Sequence, residues 1–82
     1  MSTRKDLIEV LQARPEPIEV RPGWLGRVRL VHADGRRFTV RQRKNHIEIR
    51  EFHLDDRTVS VYFAHPNVYS DEFARQLGLA LS

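Results

Sequence analysis

Arg27, Arg29, Arg37, Arg41, Arg43 and Arg50 recur at mostly even spacings through the middle of the chain, and they are the residues best suited to chemistry. A guanidinium stays charged at all working pH values, offers a planar fork of donors to a phosphate or carboxylate, and stacks on rings. Residues 27–50 hold eight Arg/Lys, seven of them Arg, against only Asp34 and Glu48. That stretch therefore carries +6 while the whole chain carries +3, leaving −3 on the remainder. Such asymmetry selects an anionic partner. Phosphate tracking by these six arginines, with Tyr62 as a ring on which a base can stack, is the primary expectation. The alternative is a solvated face whose arginines pair in part with Glu48.

Other chemistries find little support. The four histidines, His32, His46, His53 and His65, invite a metal, and His46-Ile47-Glu48 repeats the H-x-E of zinc deaminases. Those enzymes also need a P-C-x-x-C, and this chain has no cysteine, no HExxH and no calcium-loop pattern. The same lack of cysteine removes disulfides and thiolate nucleophiles. Ser60 and Ser70 lie in no nucleophile motif, and the four glycines never cluster as a phosphate-cradling loop requires. No catalytic residue, metal or cofactor is expected.

From Gly26 to Ala64 apolar and polar residues alternate between turn signals, the pattern of a four-stranded antiparallel meander. At the first turn a two-residue loop would put Val28 and Leu30 on the face opposite Phe38 and Val40. A three-residue loop, Ala33-Asp34-Gly35, with the glycine left-handed, sets Leu30 across from Phe38 and Val28 across from Val40. Around Lys44-Asn45 the second turn pairs Val40 with Ile49 and Gln42 with Ile47. A third turn at Asp55-Asp56 pairs Phe52 with Val59, and a bulge near Arg50-Glu51 is expected to bring Ile49 opposite Val61 and Ile47 opposite Phe63. The inner face then carries Val28, Leu30, Phe38, Val40, Ile47, Ile49, Phe52, Val59, Val61 and Phe63. The outer face carries the arginines with Val31, Thr39, His46, Glu48, Ser60 and Tyr62, and Arg27 faces Arg41.

Flanking this sheet, Ser2 or Thr3 caps a helix over about 3–13 with Leu7, Val10 and Leu11 as its apolar stripe. An extended connector at 14–23, broken by Pro15, Pro17 and Pro22, offers Ile18 to Val20 as an added edge strand. Trp24 is expected to close the end of the core, an exposed stacking or interface role being the alternative. Ser70 caps a last helix over about 70–81, with Asp71 and Glu72 in its first turn and Phe73, Leu77 and Leu81 as its stripe. Two helices and a sheet, each with one apolar face, predict a two-layer α+β domain spanning residues 1–82, α-β-β-β-β-α, both helices on one face.

Two short stretches are similar to known families. Ile47-Glu48-Ile49-Arg50-Glu51-Phe52 resembles a strand of single-stranded-DNA-binding transcriptional coactivators, which also run four strands into a helix; their lysine-rich strand has no counterpart in Thr58 to Phe63. TVSVYFAHPNVY is similar to the close of RelE/ParE-type toxins, whose longer N-terminal helical hairpin is here replaced by one short helix. Both resemblances imply nucleic acid, or its machinery, as partner.

With no apolar run near the roughly 18 residues of a membrane span, a cytosolic protein is expected. The reading is a non-catalytic nucleic-acid-binding module. Its alternative is a small interaction module or inhibitor of the phage or mobile-element type, gripping an acidic protein through the same face. A homodimer is a further expectation, because a meander leaves two open edges.

Overall fold

The computed structural model describes residues 3–53 and 59–82. In chain order these form α1 (Thr3–Gln12), β1 (Ile18–Pro22), a one-turn 3₁₀ segment (Trp24–Gly26), β2 (Val28–His32), β3 (Arg37–Gln42), β4 (Ile47–Phe52), β5 (Val59–Ala64) and α2 (Asp71–Leu81). The sheet is antiparallel throughout, in the order β1-β2-β3-β4-β5. It has five strands, not four. The proline-rich connector supplies the extra one, because Pro22 lies at its end and Ile18 and Val20 can then pair with His32 and Leu30.

The first two turns follow the expected chemistry. Ala33-Asp34-Gly35 is a three-residue loop with Gly35 at φ 97, and Leu30 faces Phe38 while Val28 faces Val40. Lys44-Asn45 closes the next hairpin, the Arg43 N–H donating to the His46 carbonyl at 2.8 Å. The N-terminal cap at Ser2 or Thr3 and the turn at Asp55-Asp56 fall outside the residues and side chains described.

Both helices lie on one face of the sheet and share a single core. Leu7 and Leu11 of α1, Phe73, Leu77 and Leu81 of α2, and Val28, Leu30, Phe38, Val40, Ile47 and Ile49 of the strands are all essentially inaccessible. Each such side chain stabilises the fold by about 1.5–3 kcal/mol through removal from water. The Ser70 hydroxyl accepts from the Phe73 N–H at 3.0 Å, so α2 begins where its cap residue predicts. No helix among the described residues is long and apolar enough to cross a membrane.

The last strand overturns the expected register. No bulge interrupts β4: the ladder runs unbroken from Phe52–Val59 through Arg50–Val61 and Ile49–Tyr62 to Ile47–Ala64. Phe52, paired with Arg37, and Val59, Val61 and Phe63 therefore lie on the outer face, and Ser60 and Tyr62 on the helix side. The helices explain the difference. α2 packs against β5, and Ala64 is buried in the same core as Val68, Phe73 and Ala80.

Trp24 is likewise not the core lid. Its indole is 86% exposed and Leu25 beside it 71% exposed. The Gly23 N–H donates to the Arg27 carbonyl at 2.9 Å and the Arg27 N–H to the Trp24 carbonyl at 3.0 Å, which makes Trp24 and Leu25 the tip of the β1–β2 hairpin. That tip lies beyond the last cross-strand pair, Pro22–Val28, away from the core. Leu25 adopts the left-handed conformation, φ 55 and ψ 40, which is uncommon for a branched side chain.

Candidate anion-binding face

Register alone places the outer side chains in rows across the strands. One row reads Glu19, Val31, Arg37, Phe52 and Val59; the next reads Arg21, Arg29, Thr39, Arg50 and Val61. A third sets Arg41 beside Glu48 and Phe63, and the β2–β3 register continued by one residue brings Arg27 next to Arg41. The hairpin tip adds Arg43 and His46, the latter edge-on to the Phe63 ring at 5.0 Å. Neither helix covers this face.

Acidic partners are unevenly shared. Glu19 is bound by Arg21 at 2.9 Å, and Glu48, directly across from Arg41, is instead bound by Arg50 at 2.8 Å. The Arg21 guanidinium holds the Glu19 carboxyl below the usual carboxylate range. Among the described residues Arg27, Arg29, Arg41 and Arg43 make no ion pair. Arg29 is exposed and stands directly opposite Arg21, so like charges face each other across β1 and β2. The stem of Arg29 lies over Gly23, where a Cβ would come within 3.2 Å of its Cγ. A cleft of about 200 Å³ opens beside it, lined by residues of β2 and β3, Arg29 and Arg37 among them, and by Phe52. That is below the roughly 300–1,000 Å³ of sites for drug-sized ligands.

Of the predicted site residues, Arg27, Arg29, Arg37, Arg41, Arg43 and Arg50 all lie on this face or at its hairpin end, and Arg50 is committed to Glu48. Tyr62 does not: it is opposite Ile49, on the helix side, because the ladder carries no bulge. The exposed rings on or beside the face are Phe63, at 63%, and Trp24 at the tip. Phe63 shares its alternation with Val59 and Val61, so the bulge-free register is what brings it to the outer face.

One basic residue of the run is structural. Arg36 donates to the Ala80 and Leu81 carbonyls at 3.2 and 3.0 Å, binds Asp34 at 2.7 Å and lies 5.5 Å over the Phe38 ring. Among the described residues no group of three or more His, Cys, Asp or Glu gathers where it could hold a metal.

Comparison with protein-family models, with curated proteins and with solved structures finds no match, so the two short resemblances in β4 and β5 remain local likenesses.

Proposed function

We propose that the protein binds single-stranded nucleic acid across the open face of its sheet. The observation that carries this reading is the group Arg27, Arg29 and Arg41, without acidic partners among the described residues, on a face that also presents the exposed ring of Phe63 and the half-buried ring of Phe52. Arginines supply the contacts to the phosphates, and rings on the same surface take bases by stacking, which is indifferent to sequence. A single strand is favoured over a duplex on shape. The major groove admits a helix or a two-stranded ribbon, whereas this face is five strands wide and the bases of a duplex stay out of its reach. No catalytic role is proposed.

A second reading is an acidic protein segment lying on the same face. It is supported by the aliphatic Val59 and Val61, 41% and 40% exposed, which suit a protein interface as well as a base. Salt separates the two. Anisotropy titrations with single- and double-stranded DNA and RNA of equal length, at several salt concentrations, should show the single strands bound more tightly. The slope of log affinity against log salt should be about −0.7 for each phosphate neutralised, hence on the order of −2 for three arginines. Absence of binding to every oligonucleotide, or binding indifferent to salt, would remove nucleic acid as the partner.

A further inference from the structure

The two edges of the sheet are built differently. β1 has Glu19 and Arg21 along it and Pro22, which has no N–H to donate, at its end, while α1 packs on it. These are the features by which edge strands resist pairing. β5, Val-Ser-Val-Tyr-Phe-Ala, has no charge and no proline, and Val59, Val61, Tyr62 and Phe63 are 37–63% exposed. Among the described residues no strand lies beside its outer row of backbone donors and acceptors.

We infer that β5 pairs antiparallel with β5 of a second copy, joining two five-stranded sheets into one of ten strands. The inference is independent of the nucleic-acid reading. Self-pairing sets the residue on the two-fold axis against its own copy and draws the two identical strands together, so charges near the axis would repel their copies. Residues 59–64 carry none. The arrangement is also closed: with β1 protected, the assembly stops at two copies.

Symmetry fixes the register to a few choices. An axis perpendicular to the sheet keeps outer residues with outer residues, so one residue must meet its own copy. Axes at Val61 and at Tyr62 each pair five of the six residues, and only Val61 brings all three outer residues into the seam: Val59 then faces Phe63 of the second copy, and Ser60 faces Tyr62. The outer face gains a continuous apolar seam from residues that are exposed in one copy, with an arginine group on each side of it. Five paired residues at about 3.4 Å each give a seam of only about 17 Å, so dissociation in the micromolar range is expected, not permanent association.

Val61 also provides the test, because it is paired with Arg50 of its own chain. Val61→Glu places an acid opposite that arginine and is compatible with the folded monomer, yet sets two carboxylates face to face on the axis. Sedimentation of the full chain without nucleic acid should show a concentration-dependent monomer–dimer equilibrium. Val61→Glu should weaken it on the order of tenfold or more, with circular dichroism unchanged. An equimolar mixture of Val61→Glu and Val61→Lys should restore dimers, as heterodimers. Should a variant fail to fold, hydrogen exchange on the unaltered chain decides: amides of residues 59–64 should lose protection on dilution while those of β3 do not. A monomer at all concentrations, species larger than dimers, a dimer indifferent to Val61→Glu, or β5 amides indifferent to dilution would each overturn the inference.

Discussion

The guanidinium of Arg36 donates to the main-chain carbonyl of Leu81 at 3.0 Å, tying the loop between β2 and β3 to the last turn of α2. A second donation to Ala80 satisfies another carbonyl that has no partner within the helix, and the positive charge meets the negative end of the helix dipole. Arg36→Gln should therefore cost about 1–2 kcal/mol of stability. Arg36→Lys should recover little, since an ammonium cannot hold both carbonyls and Asp34 in one plane. Neither change should alter the salt slope of binding. Equal stability of wild type and Arg36→Gln in urea melts would show that the helix end does not depend on this arginine.

Acid should find the same region. The Arg36 backbone N–H holds the Asp34 carboxyl below its ordinary range, helped by the Arg36 side chain, and hydrogen bonding from Arg14 does so for Glu16. Both are stronger acids folded than unfolded. Their stabilisation is thus complete above the unfolded pKa values and is lost as pH falls through the folded ones, below about pH 4. Arg14→Gln should lower stability at neutral pH and flatten the acid limb. Parallel stability-against-pH curves for the two proteins would remove Glu16 from the account.

How much of this is legible in the residues alone depends on whether two local signals agree. At Ala33-Asp34-Gly35 turn chemistry and alternation choose the same loop, and the register through β2, β3 and β4 follows. In β5 both phases are apolar, Val59, Val61 and Phe63 on one and Tyr62 and Ala64 on the other, so alternation does not decide which side faces the helices. The burial of Ala64 in the core shared with the C-terminal segment decides it, and that is a tertiary interaction. Arg36 looks like any other member of the basic run because its partners lie 44 and 45 residues along the chain. Trp24 departs from expectation for a similar reason: bulk suggests burial, but the hairpin that projects it is set by backbone bonds at Gly23 and Arg27.

Two glycines should respond oppositely to alanine. At Gly23 the backbone is extended and suits any residue, but a Cβ would stand 2.9 Å from the Arg27 carbonyl oxygen and 3.2 Å from Arg29 Cγ. Gly23→Ala should cost about 1–3 kcal/mol by overpacking, and should weaken nucleic-acid binding by displacing Arg29. At Gly78 the one close neighbour is the tip of the Arg14 side chain at 3.2 Å, which can shift. Gly78→Ala should thus be neutral or stabilise α2 by up to about 1 kcal/mol. Thermal melts check both signs, and a harmless Gly23→Ala would mean that the hairpin does not constrain Arg29.

The arginines at the centre of the face admit a sharper test than loss of binding. Glu48 is taken by Arg50, so Arg41 has no acid partner among the described residues although it lies directly across from one, and Arg27 adds a like charge beside it. Replacing Arg27 and Arg41 together with Gln should relieve repulsion and leave stability unchanged or slightly raised, since cross-strand pairs are worth roughly 0.2–1 kcal/mol. Affinity for single strands should fall steeply, and the salt slope should flatten by about 0.7 for each phosphate that is no longer neutralised. If the two side chains instead stabilise the sheet, the double variant melts earlier and its affinity falls only as far as unfolding requires, with the slope intact. Melting curves beside salt-dependent titrations of wild type and double variant separate these outcomes. A destabilised variant that keeps the wild-type slope would take Arg27 and Arg41 out of the binding face.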